Sequence, residues 1–226
     1  MDTVWHDQTA LWRTYYSGHM EENAPHSDGV AFMLSRTAEG ALLDWEPLSS
    51  RIITATFCTD QKRFNLLVIQ CYAPTNEAEE ETKTEFYEQL QEAVRKATAR
   101  DIVIMMGDFN AKIGSNNKGY ELVMGKQATG SMNENGEKLA DFCLDNDLVI
   151  GGSIFPHKTI HKNTWVSPDH VTENQIDFVC YSRKFRRSVL DTRVKRGADV
   201  ASDHHLVTAS VKLKLKRNEN KKQATR

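Results

Sequence analysis

Charge of one sign is what this sequence most clearly lacks: 29 lysines and arginines stand against 31 aspartates and glutamates, a formal net charge of -2 with a pI near 6.5. That balance excludes a protein that grips nucleic acid by bulk positive charge, so any such binding needs a local basic surface. Long hydrophobic runs are missing too. No stretch of about 18 apolar residues offers a membrane span, and the polar start Met1-Asp2-Thr3-Val4-Trp5-His6-Asp7 is not a secretory signal. These absences predict a soluble intracellular protein, in the nucleus or cytoplasm, not secreted and without a membrane partner. Cysteine is sparse: Cys58, Cys71, Cys143 and Cys180 never form Cys-x-x-Cys and sit mostly in apolar runs. They read as reduced packing residues rather than disulfides or zinc ligands. The 226 residues suit one domain, or at most two small ones, with a sizeable core.

What is present centres on Met105-Met106-Gly107-Asp108-Phe109-Asn110. The apolar run 102–106 has no polar alternation, as suits a strand covered on both faces, and it breaks at a glycine. In a still-extended chain Asp108 and Asn110 would share one face while Phe109 anchors the other. A carboxylate beside an amide suits a hydroxide or metal and a phosphate oxygen. A Gly-Asp-x-Asn segment is equally the chemistry of an ordinary turn.

Along the chain, residues 1–28 are the least legible: Trp5, Leu11, Trp12, Tyr15 and Tyr16 could cover part of a core, and Ser17-Gly18-His19 reads as a turn. Strands are expected at 29–34, 51–57 and 64–72, the last two as antiparallel neighbours. Asn76 is placed to cap a helix with acidic residues at its start, Arg95, Lys96 and Arg100 near its end, and an apolar stripe of Phe86, Leu90, Val94 and Ala97. It leads into the strand at 102–106, making a strand, helix, strand unit. The glycine- and asparagine-rich stretch after Asn110 predicts a binding or lid loop. A second helix follows over Glu137 to Asn146 with Leu139, Phe142 and Cys143 inward, then a strand at 148–150. Residues 153–165 mix aromatic, basic and hydroxyl groups, which suits either a lip for a polyanion or an ordinary exposed loop.

Asp177 opens an otherwise apolar strand over 175–181, and a lone buried carboxylate needs a partner. His204, in Ser202-Asp203-His204-His205 before an alternating strand at 207–213, is the candidate. An aspartate holding one imidazole nitrogen leaves the other free for acid–base work or charge stabilisation. The tail 214–226 is basic and polar, and is expected to be disordered.

In this order Tyr72-Ala73-Pro74, Gly107-Asp108-Phe109-Asn110, Thr164-Trp165, Gln175-Ile176-Asp177 and Ser202-Asp203-His204 resemble the endonuclease/exonuclease/phosphatase superfamily, the deoxyribonuclease I-like group. Ile69 to Asn76, Met132-Asn133-Glu134-Asn135-Gly136, Ile150 to Lys158 and Arg196 to Leu206 further resemble the endonuclease domains of RTE/BovB-type LINE retrotransposons. The resemblance spans about residues 16–216 and divides the chain into an atypical leader at 1–15, the domain at 16–213 and the tail. It implies an α/β fold, a four-layer α/β/β/α sandwich of two mainly antiparallel sheets, with Mg²⁺-dependent (or Mn²⁺-dependent) phosphodiester hydrolysis that nicks target DNA. The implied state is a monomeric domain with an ancestral fusion to a reverse transcriptase.

By the resemblance, Asp108 orients or deprotonates the attacking water, Asn110 holds the scissile phosphate and Tyr72 donates to a phosphate oxygen. Asp177 orients His204, which stabilises charge on the phosphate, and Asp203 helps to hold the metal. Thr164 and Ser202 are the hydroxyls that bind backbone phosphate or support the site, and Arg51 matches a basic position of the group. The departure is at the start. The family opens with a strand carrying an asparagine and a second ending in the principal metal-binding glutamate, and residues 1–14 reproduce neither. An N-terminally incomplete fold is therefore expected. With the glutamate gone, two further readings stand beside the endonuclease: a non-catalytic remnant that binds nucleic acid or is merely vestigial, and a phosphatase of the same superfamily.

Overall fold

The computed structural model describes residues 12–18, 28–60, 63–198 and 202–213. Most of the expected leader, the whole basic tail, and Glu21 and Glu22 lie outside the described residues.

Strand β1 (Trp12–Gly18) pairs antiparallel with β2 (Gly29–Ser35) over its full length, from Trp12 against Ser35 to Gly18 against Gly29. This corrects the turn expected at Ser17-Gly18. Alternation wins there, because Tyr15 and Ser17 point into the core while Thr14 and Tyr16 do not. Ser35 then caps the five-residue α1 (Arg36–Gly40) by accepting from the Ala38 amide. Strand β3 (Leu42–Ser49) escapes a pattern search because Asp44, Glu46 and Pro47 interrupt it. It lies at the edge of its sheet, where a proline's missing donor is tolerated.

Strands β4 (Ile52–Cys58) and β5 (Asn65–Tyr72) form the expected antiparallel pair. Helix α2 (Glu80–Arg95) starts later than predicted, with Glu79 at its N-cap. Asn76 is not its cap: the side chain accepts instead from the Asn135 amide at 3.3 Å. Strand β6 (Ile102–Asp108) runs parallel to β5, completing the expected crossover. It continues through Gly107 rather than stopping there. Gly107 sits at φ 149°, and a Cβ would lie 1.8 Å from the Cys71 carbonyl oxygen, so only glycine lets β6 lie against β5 at this point. The long connection 109–133 carries no helix or strand. Helix α3 (Glu134–Asp145) begins three residues earlier than expected because Asn133, not a later residue, caps it. Leu139, Phe142 and Cys143 point inward as predicted.

Then come β7 (Leu148–Ile150), the short pair β8 (Trp165–Val166) and β9 (Glu173–Asn174), and β10 (Asp177–Ser182). The last two strands, β11 (Val189–Lys195) and β12 (Leu206–Val211), pair with each other. β11 went unread because its inward residues, Val189, Thr192 and Val194, alternate with charged ones across a bulge.

The main sheet has the order β3-β4-β5-β6-β10-β7. Helices α2 and α3 cover one face through Phe86, Leu90, Leu139 and Phe142. The other face carries two separate strand pairs: β1–β2 over Ile53, Ala55 and Phe57, and β11–β12 over Val179 and Tyr181. This is the expected α/β two-sheet sandwich, with the second strand layer divided in two among the described residues. Met106 packs against both halves, so it lies under the division. No helix among the described residues is long and apolar enough to cross a membrane.

Candidate active site

The sheet order places the site. β6 lies between β5 and β10, and the pairing sets Tyr72 beside Asp108 and Asp108 beside Asp177. Residues in register on neighbouring strands share a face. Three polar side chains far apart in sequence therefore leave the same edge of one sheet together. His204 arrives from the turn before β12 through a single bridge to Trp165, and its Nδ1 lies 3.0 Å from Asp177 Oδ2. Its Nε2 is 3.9 Å from Asp108 Oδ2. The carboxylate of Asp177 fixes one ring nitrogen and leaves the other facing Asp108, as the sequence argument required.

Burial pushes the Asp108 carboxyl up to about 6, and the neighbouring Asp177 adds to the rise, against the Asn110 amide and His204. His204 is raised above its ordinary 6.5, chiefly by its hydrogen bond to Asp177. Two titratable groups, one carboxyl and one imidazole, thus sit together with both titrations shifted upward.

Asn110 reaches the site by a different geometry from the one expected. At φ 47° it is left-handed, so Asp108 and Asn110 are not two residues of one extended strand. Instead Asp108 Oδ1 accepts from the Asn110 amide at 2.8 Å, and Asn110 Nδ2 donates to the Ala73 carbonyl at 3.0 Å. Turn chemistry and site chemistry coincide here. Phe109, fully buried, anchors the loop as predicted.

The other expected residues are placed differently. Thr164 is only 1% exposed, and its hydroxyl accepts from the Ile176 and Asp177 amides at 3.0 and 3.1 Å. It braces the start of β10, next to Asp177, which is the supporting one of the two roles that the resemblance implied. Ser202 Oγ accepts from the His204 amide at 3.0 Å and shapes the turn. Asp203 gives one carboxylate oxygen to the Trp165 indole at 3.0 Å. It stands outside the group whose ligand atoms lie within 4.8 Å of one another, namely Asp108, Asp177 and His204. Arg51 is engaged rather than free: it pairs with Asp28 at 2.8 Å, donates to the Tyr72 carbonyl at 3.3 Å and lies 5.1 Å from the centre of the Tyr72 ring. It fixes that tyrosine's position.

A cleft of about 450 Å³ opens beside these groups, lined by Val30, Tyr72, Met106, Asp108, Asp177 and Leu206. Its walls are β2 and β12, both edge strands among the described residues. This is the division in the second strand layer, and it ends at the carboxylates.

The sequence matches the family described as "Endonuclease-reverse transcriptase" over residues 66–208, more than half of the chain, a span that includes Tyr72, Asp108, Asn110, Asp177 and His204. The chain belongs to that family. Over 202 residues it is 36% identical to craniofacial development protein 2 of Tragulus javanicus and of Bos taurus, covering 89% of this chain and 34% and 33% of those proteins. The chain therefore spans about a third of the length of these curated relatives. Its fold resembles the endonuclease domain of TRAS1, a telomere-specific non-LTR retrotransposon, with TM-score 0.63 and 16% identity over 92% of this chain and 81% of that one. It also resembles the 3'-5' exonuclease NExo of Neisseria meningitidis, with TM-score 0.64 and 22% identity over 91% and 81%. The 3' phosphatase NExo (D146N) from Neisseria, bound to a product DNA hairpin, gives TM-score 0.64 at 20% identity over 90% and 80%. These likenesses establish the endonuclease/exonuclease/phosphatase fold.

Sequence reasoning gave no role to Asn133 and Asn135, which tie the start of α3 to the site loops. The available signal was an asparagine N-cap next to a second asparagine before a glycine.

Proposed function

We propose that this chain is a metal-dependent DNA endonuclease domain of LINE-retrotransposon descent, which acts as a monomer within a longer polypeptide carrying a reverse transcriptase. The observation that carries the proposal is the convergence of Asp108, Asp177 and His204 on one sheet edge, with Asn110 and Tyr72 beside them. Asp108, with its raised titration, takes the proton of the attacking water. Asn110 and Tyr72 hold oxygens of the scissile phosphate. His204, kept protonated by Asp177, neutralises charge developing on that phosphate.

The carboxylates of Asp108 and Asp177, with ligand atoms within 4.8 Å of one another, would fit a divalent cation, Mg²⁺ or Mn²⁺, with Asp108 as the principal carboxylate and Asp203 able to offer only its remaining oxygen, while protonated His204 is not a ligand. Bound there, the ion supplies Lewis-acid polarisation of the phosphate. DNA is the partner, and the nucleus or cytoplasm the site of action.

A second reading has its own observation: among the described residues the candidate metal group includes no glutamate, so a non-catalytic remnant that binds nucleic acid also fits. Supercoiled plasmid separates the two. Nicking with Mg²⁺ or Mn²⁺ that stops on chelation is expected, and its pH profile should be bell-shaped. The rate rises as Asp108 ionises near pH 6, then falls as His204 loses its proton above 6.5. DNA retention without nicking would support the remnant. Phosphate release from a 3'-phosphorylated hairpin without nicking would support a phosphatase.

A further inference from the structure

We propose that Asn135 is a positioning residue for this site, clasping the loop that follows β5 to the loop that follows β6. Its kinetic consequence rests on the endonuclease reading; the clasp itself does not.

The two loops leave adjacent parallel strands, from Tyr72 and Asp108. Each turns a carbonyl toward the same buried point. Asn135 Nδ2 donates to Pro74 O at 3.0 Å in the first loop and to Asn110 O at 3.1 Å in the second. The residue is 3% exposed. Two carbonyls facing one point need two N–H groups on one atom, which an amide supplies and a carboxylate of the same shape cannot. Asn110 is the left-handed residue whose own amide and side chain tie Asp108 to Ala73, so the clasp acts on the group assigned to the phosphate.

The first turn of α3 is itself held by the same two loops. The Asn135 backbone amide donates to Asn76 Oδ1 at 3.3 Å, and the preceding N-cap, Asn133, accepts from Lys112 N and Gly136 N, both at 2.8 Å. Gly136 permits the approach, because a Cβ there would lie 1.9 Å from the Lys112 carbonyl oxygen. The first turn of α3 is thus pressed onto the site loops. Asn135 Oδ1 is buried with no hydrogen-bond partner among the described residues. A buried acceptor left unpaired is destabilising, so an asparagine here is better explained by its two donated bonds than by a general contribution to stability.

The test compares wild type with Asn135→Ala and with the isosteric Asn135→Asp. Amide hydrogen exchange is expected to quicken about tenfold or more at Ala73, Phe109 and Asn110 in both variants, with the amides of β4 unchanged. On supercoiled plasmid kcat should fall about 100-fold with KM within a few-fold, the effect of a displacement of about 1 Å. The falling limb of the pH profile should stay in place, since His204 is not touched. Wild-type exchange at these three amides in Asn135→Asp would overturn the clasp. So would a uniform rise in exchange across the whole protein, or failure of both variants to fold, since either makes Asn135 a folding residue. A wild-type protein that does not nick would count against the endonuclease reading alone, and the exchange arm would still decide the clasp.

Discussion

His204→Ala is expected to lower the nicking rate by about 10³- to 10⁴-fold while DNA affinity changes only a few-fold. The imidazole bridges two carboxylates at 3.0 and 3.9 Å and is partly exposed rather than buried in the core. Removing it takes the positive partner from Asp108, whose ionisation His204 assists. The residual activity should therefore rise with pH at a higher value than in wild type, and the falling limb should disappear. The check is single-turnover nicking from pH 5 to 9 with the divalent cation fixed. A variant that nicks like wild type would remove His204 from the chemistry.

Asp108→Asn should abolish nicking and make the protein more stable. Folding raises the Asp108 pKa from the ordinary 3.8 to about 6, so the folded state binds this proton more tightly than the unfolded chain does. Stability consequently falls as pH rises from about 4 to about 6 and stays lower above that. His204 adds to the same trend, because its contribution is full below 6.5 and is lost as pH rises through its raised value. An asparagine cannot ionise, and its Oδ1 can still accept from the Asn110 amide. The gain should approach about 2 to 3 kcal/mol at pH 8 and vanish near pH 4, a rise in Tm of several degrees. Thermal unfolding of both proteins without divalent cations, from pH 4 to 8, measures it. A loss of stability at pH 8 would mean that the Asp108 carboxylate is not under the strain that its burial implies.

The dyad was legible in the sequence for a physical reason: a carboxylate heading an apolar strand needs a partner, and His204, just before the strand at 207–213, offered one. The β5-α2-β6 crossover was legible because apolar runs and a helical stripe alternate in order. Sheet order was not. Tyr72, Asp108 and Asp177 become neighbours only because β6 lies between β5 and β10, and no local pattern encodes that. Strands β3 and β11 were hidden because edge and half-exposed strands carry charged residues. Which of its two expected roles Thr164 plays was not legible, since its hydroxyl meets the Ile176 and Asp177 amides only once the chain has folded, a tertiary effect. Asn135 could not be assigned, since both of its carbonyl partners lie in loops whose course depends on the strands that precede them.

The coupling of Asp177 to His204 is the feature on which the chemistry rests, and the imidazole titration reads it directly. In wild type, NMR should give His204 a pKa above 6.5, and Asp177→Asn should bring it down to or below that value. A His204 titration that is the same with and without the Asp177 carboxylate would contradict the account.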